Sequence, residues 1–179
     1  MKRVLFVIFL LVLFGACNPK QTKVRNAIDS KEKELMEQAK KGNIDSVALN
    51  GLLKDYEGYA EKYPDDTVGA VYLFKAADFY RYLHKPLRSV ELYKKIYENY
   101  PTVTKRPYAL FLQGFIYENE AGNIHAAKAL YEKFLKEYPG HPMVKDVQTT
   151  LANLGKSPEE LIAEFERRAQ QDSLLNAQK

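Results

Sequence analysis

Apolar residues recur at helical spacing from Ala27 almost to the end of the chain, and glycine and proline punctuate them at loop-like intervals. Ile28, Leu35, Met36 and Ala39 mark a first helix, ended by Gly42-Asn43. Val47, Leu49, Leu52, Leu53, Tyr56, Tyr59 and Tyr63 mark a second, stopped at Pro64. Asp65, Asp66 or Thr67 can cap the third, which carries Val71, Leu73, Phe74, Ala76, Ala77, Phe79 and Tyr80. A fourth runs from Pro86 through Leu87, Val90, Leu92, Tyr93, Ile96 and Tyr97 to Pro101. A fifth begins near Pro107 with Leu110, Phe111, Leu112, Phe115, Ile116 and Tyr117. After a Gly122-Asn123 turn, a sixth carries Ala126, Ala127, Leu130, Tyr131, Phe134 and Leu135 up to Pro139. A short helix spans about Met143 to Leu154. Ser157-Pro158-Glu159-Glu160 then forms a capping box with proline at the first helical position. The last helix carries Leu161, Ile162 and Phe165. No alternating strand pattern persists, so the class is all-α.

Three Tyr-Pro pairs, Tyr63-Pro64, Tyr100-Pro101 and Tyr138-Pro139, are spaced by 37 and 38 residues. A fixed period in this range marks stacked helical hairpins, none of which buries its apolar face alone. The expected architecture is an α-solenoid of about four antiparallel hairpins over 27–170, followed by a polar tail at 171–179.

The first residues follow another logic. Lys2 and Arg3 precede an unbroken apolar run from Val4 to Phe14, then Gly15, Ala16 and Cys17. Eleven helical residues reach only about 16 Å, against a hydrocarbon core of about 30 Å. Residues 1–16 therefore read as a secretion signal, and 17–26, polar and containing Pro19, as a tether. The small pair before the lone cysteine resembles the lipobox of bacterial lipoproteins, with Phe14 standing where an aliphatic residue is usual. That resemblance implies acylation of Cys17 and a lipid anchor. Asn18 in place of aspartate implies, on the same resemblance, the outer membrane; it leaves the exposed side open between the cell surface and the periplasm, the periplasm being the expected one.

Charge and chemistry add mostly exclusions. The chain holds 27 basic and 23 acidic residues, and loss of Lys2 and Arg3 with the signal brings it closer to neutral. That balance points away from nucleic acid. A single cysteine allows no internal disulfide. His84, His125 and His141 lie near turns or helix starts, without a second ligand at metal-binding spacing. No nucleophile elbow, phosphate loop or dinucleotide fingerprint occurs, and acidic pairs sit at helix starts where they complement the dipole. The reading is a non-enzyme without metal or cofactor.

Leu73, Ala77, Tyr80, Ser89, Tyr93, Ile96 and Pro101 resemble the tetratricopeptide repeat signature, as do Leu110, Gly114, Tyr117, Ala127, Tyr131, Phe134 and Pro139. Met36, Leu52, Tyr56, Tyr59 and Pro64 match a degenerate earlier copy. Small residues let antiparallel helices approach, and aromatic ones fill the space between pairs. The chain has no tryptophan, and its period exceeds that family's. With the lipobox, the pattern resembles the lipoprotein subunit of the outer-membrane barrel-assembly machinery and the periplasmic coordinators associated with the Tol system.

That resemblance implies a groove lined by the first helix of each hairpin. Here it would comprise Val71, Phe74, Lys75, Asp78, Arg81 and Tyr82 from one unit, and Tyr108, Phe111, Leu112, Phe115, Glu118 and Asn119 from the next. The phenylalanines could equally be core, as aromatic stripes at helical spacing usually are. The basic clamp by which one family variant holds C-terminal carboxylates is absent, with Phe74, Asp78, Tyr108 and Phe115 at its positions. The expected partner is a protein or peptide of the cell envelope bound to a scaffold. The alternative is a ligand-binding lipoprotein whose aromatic groove, in a chain of 13 tyrosines, stacks on glycans or holds peptides.

Overall fold

Prolines and short polar side chains set the limits of the helices. A computed structural model describes residues 19–177. Its helices are α1 (Pro19–Lys40), α2 (Ser46–Lys62), α3 (Val68–Tyr82), α4 (Pro86–Asn99), α5 (Arg106–Asn119), α6 (Ile124–Glu137), α7 (Val144–Asn153) and α8 (Pro158–Ala177). No strand occurs among the described residues. Pro86 and Pro158 open α4 and α8 at positions that need no N–H donor. Carboxylate and amide oxygens accept from backbone N–H groups at the starts of α2, α3 and α6. Asp45 accepts from Val47 N–H at 2.8 Å, Asp66 from Val68 N–H at 3.0 Å, and Asn123 from Ala126 N–H at 3.0 Å. Ser157 and Glu160 exchange the two bonds of the capping box, at 3.2 and 2.7 Å.

Two segments differ from expectation. Residues 19–26, read as a tether, form the start of α1. Residues 171–177, read as a tail, continue α8. Neither carries an apolar stripe or a glycine, yet each holds residues of good helix propensity: Lys20, Gln21, Lys23 and Arg25 in the first, and Gln171, Leu174, Leu175 and Ala177 in the second. The signal segment and Cys17 lie outside the described residues.

The chain divides into two compact units, at Asp55 and Tyr56. In the first, α1 contributes buried Ile28 and Leu35, and the start of α2 contributes Leu49, Leu52 and Leu53. Gly42 turns the chain between them at a φ of 76°, and Lys31 Nζ meets Asp55 Oδ2 at 2.5 Å.

The second unit repeats one contact. Tyr93 of α4 and Tyr131 of α6 are fully buried and lie 38 residues apart, one repeat. Each donates its hydroxyl to a carboxylate on the preceding helix, Tyr93 to Asp78 and Tyr131 to Glu118 at 2.7 Å. Opposite Tyr131 stands Gly114, where an added Cβ would lie 2.8 Å from the ring. Ala76, Ala77, Ala109 and Ala127 are likewise fully buried, so backbones approach closely along the α3–α4 and α5–α6 hairpins.

Successive helices are joined by rings and one arginine. Tyr72 of α3 stacks on Tyr56 at 5.0 Å and meets Tyr59 edge-on at 5.1 Å, both from the end of α2. Arg106, at the start of α5, donates Nε–H to the Tyr97 carbonyl at 2.9 Å and Nη1–H to the Tyr138 hydroxyl at 2.8 Å. Its guanidinium also lies 4.4 Å from the Tyr97 ring centre. Tyr97, Leu110, Ala127, Tyr131, Phe134 and Val147 form one core cluster, so α4 to α7 share buried side chains.

The Tyr-Pro pairs end α2, α4 and α6. Their tyrosines fill different crevices. Tyr63 tilts on Tyr59, Tyr138 packs on Phe134, and the Tyr100 hydroxyl occupies the space beside Gly69, where a Cβ would meet it at 2.5 Å.

Gly114→Ala is expected to destabilise the fold by about 1–3 kcal/mol, because a buried ring and not a flexible tip blocks the added methyl. Ser89 is buried and its hydroxyl has no hydrogen-bond partner. Ser89→Ala should therefore be neutral or stabilising, by up to about 1 kcal/mol. Urea midpoints of the two variants check both expectations.

Candidate functional site

The outward faces of α3 and α5 carry the residues that sequence reasoning assigned to a groove. Val71, Asp78 and Tyr82 of α3 are exposed, as are Tyr108 and Asn119 of α5. Phe74, Lys75, Arg81, Phe111, Leu112, Phe115 and Glu118 are half-buried. The face is therefore a shallow mixture of open rings and rings engaged at one edge.

Each phenylalanine has a neighbour. Phe74 meets the Tyr93 ring edge-on at 5.0 Å, and Lys105 Nζ sits 4.3 Å from its centre. Phe111 lies against Tyr131 at 5.7 Å and Phe134 at 6.4 Å, which ties it to the core cluster. Phe115 lies beneath Arg81, whose guanidinium is 5.4 Å from the ring centre. Arg81 also pairs with Glu120, at 2.6 Å from Nη2 and 2.7 Å from Nε. This bond joins the ends of α3 and α5 across the face.

Most polar positions are engaged as well. Asp78 and Glu118 hold the Tyr93 and Tyr131 hydroxyls, and the Asn119 amide donates to the Phe115 carbonyl at 3.0 Å. The Lys75 ammonium lies about 6 Å from the Tyr56 and Tyr72 ring centres. Tyr82, 68% exposed, and Tyr108, 42% exposed, offer the most open ring surface.

Two open clefts border the face. One of about 690 Å3 is lined by Asp78, Arg81, Tyr82, His84, Pro86 and Glu120. The other, about 420 Å3, lies among Thr67, Ala70, Val71, Thr102, Val103, Thr104 and Lys105. Sequence reasoning missed Lys105, Glu120, His84 and Val103. All lie in links or at helix ends, where helical periodicity gives no signal. The extra length of the links between repeats was the available hint.

The histidines are not one class. His84 is exposed, with a positive φ of 54°, and His125 is exposed in the first turn of α6. His141, expected at the surface, is half-buried: its ring meets Tyr108, Phe134 and Tyr138, and its Nδ1 accepts from Met143 N–H at 3.2 Å. Among the described residues, no group of three His, Cys, Asp or Glu side chains is placed to hold a metal ion. None of the described helices is long and apolar enough to cross a membrane.

The tyrosine–carboxylate bonds carry a pH signature. Burial, reinforced by Asp78, pushes the Tyr93 phenol well above its usual range, and burial with Glu118 does the same for Tyr131. Burial with Glu137, which accepts the Tyr97 hydroxyl at 2.6 Å, raises Tyr97 to about 12. Below a pH of about 10, phenols are neutral in the folded and unfolded chain alike. Above it the unfolded chain releases these protons first, so stability falls as pH rises toward 12. Denaturation series across this range should show that fall, and a shallower one in Tyr97→Phe. Absorbance at 295 nm should show the buried phenols ionising only with unfolding.

No curated protein matches the chain. Residues 108–141 match the family model of the tetratricopeptide repeat, so the hairpin of α5 and α6, with its Gly114–Tyr131 contact, is similar to a repeat of that family.

Proposed function

We propose that this protein is a non-catalytic scaffold of the bacterial envelope, lipid-anchored through Cys17 to the outer membrane and facing the periplasm. It binds a protein or peptide partner on the α3 and α5 face. The observation that carries the binding reading is the exposure of Val71, Tyr82 and Tyr108 on a face that two helical hairpins hold rigid. Repeat arrays use such continuous faces to hold partner segments. Anchoring rests on the apolar run, small pair and cysteine of the sequence.

The open rings at Tyr82 and Tyr108 are the anchors, with Val71 and the adjoining cleft taking an apolar side chain. Arg81 and Glu120 neutralise each other, so the face asks for neither a strongly acidic nor a strongly basic segment. The glycan reading has less material than composition suggests. Tyr56, Tyr59, Tyr72, Tyr93, Tyr97, Tyr100 and Tyr131 are all buried and cannot stack on a sugar.

Photo-cross-linking residues at Tyr82 and Tyr108 in the native envelope should capture the same protein, while one at exposed Lys94 on α4 should not. Equal capture from all three positions, or none from the first two, contradicts the binding face. Palmitate labelling should disappear in Cys17→Ala. Labelling that survives it, or is absent from the unaltered chain, removes the anchor.

A further inference from the structure

α8 is a 20-residue helix, and none of its described side chains is buried. Every side chain described in it is exposed except Glu164, which is half-buried. Ile162 is 60% and Phe165 75% exposed. In proteins most helical stability comes from packing an apolar face. The apolar residues of α8 are nevertheless ordered: Leu161, Ile162, Phe165 and Ala169 fall within an arc of about 100°. Leu161 and Phe165 also border an open cleft of about 260 Å3 with Asn153 of α7 and Arg168.

Charge is graded along the same helix. Glu159, Glu160, Glu164 and Glu166 fall in its first nine residues without a cation, and Arg167 and Arg168 follow. Lys156 holds Glu164 at 2.6 Å, which fixes the helix start to the preceding loop, and Arg168 pairs with the same carboxylate.

We propose that two copies of this chain associate through α8, antiparallel about a two-fold axis near Phe165. A closed two-fold pair needs a self-complementary patch, and this helix has one. With the axis at Phe165, the two Phe165 rings meet at the centre and Leu161 faces Ala169 of the second copy. Arg168 then stands level with Ile162 of the second copy, about 3 Å of helical rise from its Glu160 and its Glu164. A parallel pair would instead set four carboxylates against four. The stripe is small beside a standard interface of roughly 1,600 Å2, so the association is weak and concentration-dependent. It uses none of the α3 and α5 residues and does not depend on the function proposed for them.

Cross-linking of full chains tests both contact and direction. Differently tagged copies carrying Leu161→Cys and Ala169→Cys are co-expressed and oxidised, and linked peptides are identified by mass, which separates any link through Cys17. The 161–169 link between copies should predominate. In an antiparallel pair the 161–161 and 169–169 distances grow by about 12 Å of helical rise, so those links should be scarce. Adding Phe165→Glu to both copies should abolish the link while far-UV circular dichroism stays unchanged, since this ring packs on no core. Combining Glu160→Arg in one copy with Arg168→Glu in the other keeps both 160–168 cross-pairs attractive, and should cross-link more than two copies that both carry Glu160→Arg. Predominant like-position links, links only to other proteins, no links, or links that survive Phe165→Glu would each overturn the proposal.

Discussion

The distance between paired helices is the constraint on which the second unit depends. It is set where a small residue faces a buried tyrosine. Gly114 leaves room for the Tyr131 ring and nothing more, and the alanines of α3 and α5 do similar work along the hairpins. Close approach brings the tyrosine hydroxyl to a carboxylate on the neighbouring helix, which satisfies a buried polar group that would otherwise cost stability. The same contact positions the outer face. Asp78 and Glu118, which hold the hydroxyls, belong to the surface proposed for binding, so core and face are coupled through single side chains.

Between hairpins the join is made differently. Arg106 spans from the end of α4 to the end of α6 by touching Tyr97 and Tyr138. Phe134, Val147 and Leu110 continue the same core into α7. No hairpin here closes its own core, as expected of a repeat array. α8 is the exception: it carries an apolar stripe yet gives none of it to the core, and this makes its outer surface a place for a second copy.

Much of this was legible in sequence because the relevant signals are local. The helical period, the prolines at Pro64, Pro101 and Pro139, and the Ser157–Glu160 box located the helices with little ambiguity. The resemblance to the tetratricopeptide signature placed Tyr93, Tyr131 and Gly114 at packing positions, and all three are buried. The misreadings share one cause: where apolar residues do not recur at helical spacing, periodicity gives no signal, so the helical stretches 19–26 and 171–177 looked like linkers. The site was less legible. Phe74, Phe111 and Phe115 lie at the boundary between core and surface, and their half-burial depends on Lys105, Tyr131 and Arg81, which reach them from other helices and links. His141 was hidden for the same reason, since the rings around it come from two helices and a helix end.

Native-state hydrogen exchange tests the central claim most directly, because it reads how far helices open together. If shared side chains bind the hairpins into one array, the slowest amides of α3, α4, α5 and α6 should exchange through a single opening of common free energy. An α5–α6 hairpin that stays protected while α3 and α4 open independently would contradict the account.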